Sequence, residues 1–176
     1  MEWENRSAYM FVKAQPDQVE ALWAKAKAWT HALGAWIVTG DWDLLVWIDA
    51  KDAPAMQKLV AEARQWPGVE LTSSHFVHQG YKNGKMWWDK PAGVWMLARG
   101  RGPLNRWEEL TGWDGQVSTA SIPGAWDSMS WVWGDDWSQA WGRVLEAKKQ
   151  GWETQTLVPM KSWWNQKVAA GCASWK

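Results

Sequence analysis

The chain has 176 residues with 19 basic and 19 acidic side chains, so its formal net charge is zero. That length holds one medium domain or two small ones, and a zero balance argues against a general polyanion binder, which needs a cationic excess or a basic face. The 47% hydrophobic content argues against disorder, and the single cysteine, Cys172, excludes an internal disulfide framework or a multi-cysteine metal site.

The aromatic usage is lopsided, with 21 Trp against two Tyr and two Phe. Trp fills cores, anchors subunit contacts and stacks on flat ligands; the surplus here is read as part core and part interface. The longest strongly apolar run, Leu44–Ile48, is far short of the ~20 residues of a spanning helix. Met1–Ser7 lacks the apolar stretch of a secretory signal. The expectation is a soluble cytoplasmic protein with no membrane partner.

Taken in chain order, Ala8–Lys13 predicts a short buried strand. Pro16 and Asp17 open a helix in which Val19, Leu22, Trp23, Ala26 and Trp29 recur at helical spacing through about His31, with Gly34 as its stop. Ala35–Thr39 and Asp43–Asp49 predict two strands around a Gly40-Asp41 turn. Asp52 and Pro54 begin a second helix, and Val69–Gln79 predicts a fourth strand. This β-α-β-β-α-β order is ferredoxin-like.

The pattern then begins again. Gly93–Ala98, Gln116–Ile122, Trp126–Trp133 and Glu153–Met160 predict strands; Pro103–Leu110 and Asp136–Gln150 predict helices. Gly40-Asp41-Trp42-Asp43 matches Gly124-Ala125-Trp126-Asp127 at an offset of 84, which also brings Trp47 onto Trp131, Asp52 onto Asp136 and Phe11 onto Trp95. After a one-residue gap, Gly68-Val69-Glu70 matches Gly151-Trp152-Glu153. The expected fold is therefore α+β: two tandem ferredoxin-like domains, 7–82 and 92–162, joined by a linker at 83–91 and followed by a Trp-rich tail at 163–176, arranged as a pseudo-dimer of the dimeric α/β-barrel type.

At Ala8–Lys13, Val38–Val46, Trp66-Pro67-Gly68-Val69-Glu70 and Thr72-Ser73-Ser74, the first copy resembles the effector-binding (RAM) domain of the Lrp/AsnC family. The resemblance implies dimerisation through the sheets, higher rings, and small effectors such as amino acids bound between dimers. Carried onto this sequence, it implies a ligand site made of Gly40, Asp41, Trp42 and Asp43 with the facing strand Thr72, Ser73 and Ser74. Asp41 would hold an ammonium, and hydroxyls or N–H groups a carboxylate. The bland alternative is that Gly40-Asp41 is hairpin chemistry and that Asp43 only supports the turn. The second copy has Ala125 in place of the first turn aspartate and lacks the Pro-Gly pair. The helix-turn-helix of full-length relatives has no counterpart in the seven residues before strand one, so direct nucleic-acid binding by that route is not expected.

Elsewhere the signals are weak. His75 and His78, three apart on a predicted strand, point to opposite faces, poor geometry for one metal. No phosphate loop and no nucleophile–base arrangement is legible. The expectation is no catalytic residue, no metal and no cofactor: a stand-alone small-molecule-binding and oligomerisation module, not an enzyme, forming homo-oligomers. The alternatives are a self-assembling structural protein built through Trp-rich interfaces and a dimeric α/β-barrel enzyme.

Overall fold

The structure is a computed structural model, and the residues it describes are 6–83, 92–100, 117–166 and 168. The chain forms two compact units. The first contains β1 (Ser7–Ala14), α1 (Val19–Ala28), β2 (Ala32–Val38), β3 (Leu44–Asp49), α2 (Ala53–Ala63) and β4 (Val69–Phe76). The two-residue period of β1 places Ala8, Met10, Val12 and Ala14 against the helices. There they pack with Leu22 and Ala26 of α1 and Leu59, Val60 and Ala63 of α2. Tyr9 and Phe11 go to the other face of the sheet. Asp52 caps α2 by accepting the Ala55 N–H at 2.7 Å, satisfying a donor the helix leaves open.

The second unit repeats the scheme with β6 (Ala92–Arg99), β7 (Val117–Ser121), β8 (Ser128–Gly134), α3 (Trp137–Lys149) and β9 (Glu153–Leu157). Asp136 caps α3 on the Gln139 N–H at 2.8 Å, as Asp52 caps α2. Both units are α+β and ferredoxin-like, as expected. The predicted helix at Pro103–Leu110 lies outside the described residues.

Three details correct the sequence reading. First, α1 ends at Ala28, and Gly34 sits inside β2 rather than stopping the helix. A Cβ on Gly34 would stand 2.4 Å from Cη2 of Trp36, so the glycine makes room for that indole. Second, the two first strands align at an offset of 86. Tyr9 pairs with Trp47 as Trp95 pairs with Trp131, so Trp95 corresponds to Tyr9 and not to Phe11.

Third, the fourth strand of each copy is broken, and the chain then joins the other sheet. β4 stops at Phe76, and β5 (Gln79–Asn83) pairs with β7 of the second unit. β9 stops at Leu157, and β10 (Pro159–Trp164) pairs with β2 of the first. The sheet orders are β10-β2-β3-β1-β4 and β5-β7-β8-β6-β9. The units consequently divide at Val77/His78 and Val158/Pro159 rather than at the expected 82 and 162. The start of the tail thus has a place: Trp163 packs on the first core, and Trp164 meets Trp36 edge to face at 4.8 Å. Among the described residues, no helix is long and apolar enough to cross a membrane.

Candidate functional site

The predicted turn is built by its backbone. Gly40 has φ +113°, the left-handed region that favours glycine. The Val38 N–H donates to the Asp43 carbonyl and the Asp43 N–H to the Val12 carbonyl, each at 3.0 Å. Where β1 shifts register between Lys13 and Ala14, Oδ2 of Asp43 accepts the Ala14 N–H at 2.9 Å, with Lys13 Nζ at 3.4 Å. The second unit repeats the arrangement: Asp127 N–H donates to the Ala98 carbonyl, and Asp127 Oδ2 accepts the Gly100 N–H at 2.8 Å. A carboxylate so engaged in both copies holds a strand end, so Asp43 supports the turn. Asp41 is exposed on that turn, and Trp42 lies beside Phe11 with ring centroids 5.8 Å apart.

Strand alternation divides the other predicted trio. Thr72 and Ser74 share the helix side of β4, whereas Ser73 faces the opposite way. On the helix side, Arg64 at the end of α2 donates through Nε to Oγ1 of buried Thr72 at 2.7 Å. Next to this pair, Met56, Gln57, Val60 and Arg64 of α2 and Ser74 of β4 line a groove of about 460 Å³. That is within the size range of small-molecule sites. Oγ of Ser74 is shut off from solvent and has no hydrogen-bond partner, an unusual state for a buried polar atom. None of Gly40, Asp41, Trp42 and Asp43 lines the groove.

The second unit has a smaller cavity, about 330 Å³ and lined by Lys148, Gly151, Trp152, Glu153 and Thr154; Lys148 stands where Arg64 stands in the first groove, and the rest lies at the turn from α3 into β9. Thr154 pairs with Ala98 as Thr72 pairs with Val12, so the two threonines correspond. The chemistry differs. Here the carbonyl end of α3 and the carboxylate of Glu153 add negative charge, although Arg99 holds that carboxylate at 2.7 Å.

The face of the first sheet away from the helices is aromatic. Tyr9 stacks on Trp47. Phe11 meets His75 edge to face at 5.6 Å. Ser73 Oγ lies 3.4 Å from Nε2 of His75. Burial pushes the His75 imidazole below the usual histidine range, because desolvation disfavours the cation. Among the described residues, no cluster of three or more His, Cys, Asp or Glu side chains could hold a metal ion.

Residues 7–87 match the sequence profile of the Lrp/AsnC ligand binding domain. The first repeat is similar to that domain over nearly its whole length. No curated protein matches the chain. Among solved structures, the siroheme decarboxylase NirDL superposes with a TM-score of 0.66 at 9% identity, over 96% of this chain and 77% of its own. A heme-binding protein from Thermus thermophilus gives 0.53 at 12% identity, over 94% and 93% of the two chains. An anthrone oxidase-like protein gives 0.51 at 13% identity, over 90% and 92%. These are likenesses of fold, extending past the Lrp/AsnC domain to nearly the whole chain. They also correct one expectation. The fold carries catalysis in other proteins, so "not an enzyme" does not stand.

Of the predicted site, the first unit brings Ser74 to the groove, with Thr72 beside it on the same face of β4, and Trp42 and Ser73 to the opposite face of the sheet. Sequence reasoning missed Arg64, Met56, Gln57 and Val60. Their spacing, with Met56, Val60 and Arg64 four apart, is that of one helix face, but nothing in it said which strand that face would overlie. His75, set beside His78, reads as a poor metal or haem ligand; its two-residue spacing from Ser73, which puts both on one face of the strand, is the usable signal, whereas the place of Phe11 beside them depends on the pairing of β1 with β4.

Proposed function

We propose that the chain is a small-molecule-binding module of regulatory type, and that the α2–β4 groove takes a small organic carboxylate, α-amino acids among them. The observation that carries this is the partnerless, buried hydroxyl of Ser74 beside the Arg64–Thr72 pair. A guanidinium and a hydroxyl together suit a carboxylate. Met56 and Val60 supply apolar wall for the ligand's body, and Gln57 supplies an amide. Among the described residues, no acidic side chain lines the groove, which favours an anion over a cation.

Isothermal titration of the full chain with a panel of amino acids and other small carboxylates tests the proposal. At least one member binds saturably. Ser74→Val and Arg64→Gln each weaken it by about 10–100-fold, the usual cost of losing a hydrogen bond to a charged group. Asp41→Ala leaves the affinity within about twofold, because Asp41 does not line the groove. Binding that ignores Ser74→Val and Arg64→Gln contradicts the proposal.

A second reading concerns the aromatic face and is favoured by His75. Burial keeps its imidazole neutral at pH 7, the form an iron ligand or proton acceptor needs. Phe11 and Trp42 present flat rings close by, and Nε1 of Trp47 on the same face is buried without an acceptor. On this reading His75 ligates the iron of a tetrapyrrole, the kind of group named for two of the matched proteins. Titration with hemin, read by visible absorption, gives a saturating shift that His75→Ala abolishes. A spectrum identical to that of free hemin removes this reading.

A further inference from the structure

We infer that α3 is the seam of a two-fold homodimer, in which the helix pairs antiparallel with α3 of a second copy of this chain. The inference is independent of the ligand groove. Helix α3 has two apolar faces. Ala140, Val144 and Ala147 are buried against the second sheet. Trp137, Trp141 and Leu145 form a second line at i, i+4 and i+8, and they are 44%, 40% and 53% exposed. The fold does not require this ridge. At the same positions of α2, offset by 84, stand Ala53, Gln57 and Ala61, all exposed. The second unit therefore carries two Trp and a Leu where the first has small and polar surface residues, and among the described residues none of the three belongs to the core cluster of that unit. Contiguous exposed apolar surface of this kind marks a contact site, and Trp is a preferred interface anchor.

The charge pattern selects the occupant. Asp135 and Asp136 precede α3, and Lys148 and Lys149 end it. They lie five to six residues before Trp141 and seven to eight after it, about 8–12 Å along the axis in each direction. An antiparallel copy centred on Trp141 sets the acids of each chain against the lysines of the other and opposes the two helix dipoles. Trp137 and Leu145, each four residues from the centre, then meet one another, and Trp141 meets its own copy. Every contact is self-complementary, as an isologous interface requires.

Sedimentation analysis of the full chain across concentration tests the inference. It shows a self-association that Trp141→Glu combined with Leu145→Glu weakens by at least about 30-fold, halving the particle mass while the far-ultraviolet dichroism is unchanged. Asp135→Lys and Lys148→Glu each weaken it, and the two together restore it. In a Cys172→Ser background, Trp141→Cys links two chains through a short bis-maleimide. A chain that stays monomeric at ~100 μM overturns the inference and leaves the ridge to a different protein. So does an assembly whose mass is unaffected by the paired Glu substitutions.

Discussion

Two glycines make room for the tryptophans that distinguish this chain. A Cβ on Gly34 would stand 2.4 Å from the Trp36 ring, and one on Gly93 would stand 2.3 Å from the Trp131 ring. Gly34→Ala and Gly93→Ala should each cost about 1–3 kcal/mol through overpacking. Gly142, within α3, has nothing within 4 Å of an added Cβ, so Gly142→Ala should add about 0.4–1 kcal/mol. Chemical denaturation of the three variants checks the contrast. Asp43→Ala and Asp127→Ala each leave a strand-end N–H without its acceptor and should cost about 1–3 kcal/mol. His75 sets a pH dependence. Its folded pKa lies below the unfolded value of about 6.5, so the unfolded chain binds the proton first as pH falls. Its contribution is complete above that unfolded value and is lost as pH falls through the lower folded one. His75→Gln should flatten that part of the stability profile. At this scale the sequence was a good guide to caps and to the turn glycine: Asp52, Asp136 and Gly40 act locally, and their roles depend on neighbours a few residues away, whereas Asp43 holds the Ala14 N–H on another strand. Arg64 was not legible, because its meaning depends on Thr72 of the strand beneath it.

The existence and order of the helices and strands of the first repeat were legible from periodicity, although the end of α1 was misplaced because Gly34 lies inside β2. What periodicity does not encode is the sheet a strand will join. Val69–Gln79 reads as one strand, yet the chain leaves the first sheet after Phe76 and enters the second at Gln79. The tail likewise shows only its apolar Trp163 and Trp164, while its destination on β2 depends on a pairing more than a hundred residues distant. The same ignorance of position left Thr72, Ser73 and Ser74 as one group, which alternation then divided between two faces. β10 carries weight in the first unit, since Trp164 packs on Trp36 and Trp47. Trp164→Ala should cost about 2–4 kcal/mol, read as a lowered midpoint in thermal unfolding.

For the molecule as a whole, exchange of β5 and β10 makes each sheet depend on the segment that follows the other repeat. The full chain should therefore unfold in one cooperative transition, although its sequence reads as two domains. A fragment 7–82 should fail to fold alone, because it lacks β10, and its β5 has no β7 to pair with. Dichroism of the fragment checks this, and a cooperative melt of 7–82 would contradict it. The repeats have also diverged in use. The first has the Ser74 hydroxyl and the Arg64 guanidinium at its groove; the second carries the Trp137–Trp141–Leu145 ridge. The central claim concerns the groove, and native mass spectrometry of the full chain purified without added ligand tests it most directly. The account predicts a small carboxylate mass, at most one per chain, that Ser74→Val removes and His75→Ala leaves in place. A chain with no such mass, and none after incubation with the amino-acid panel, would contradict it.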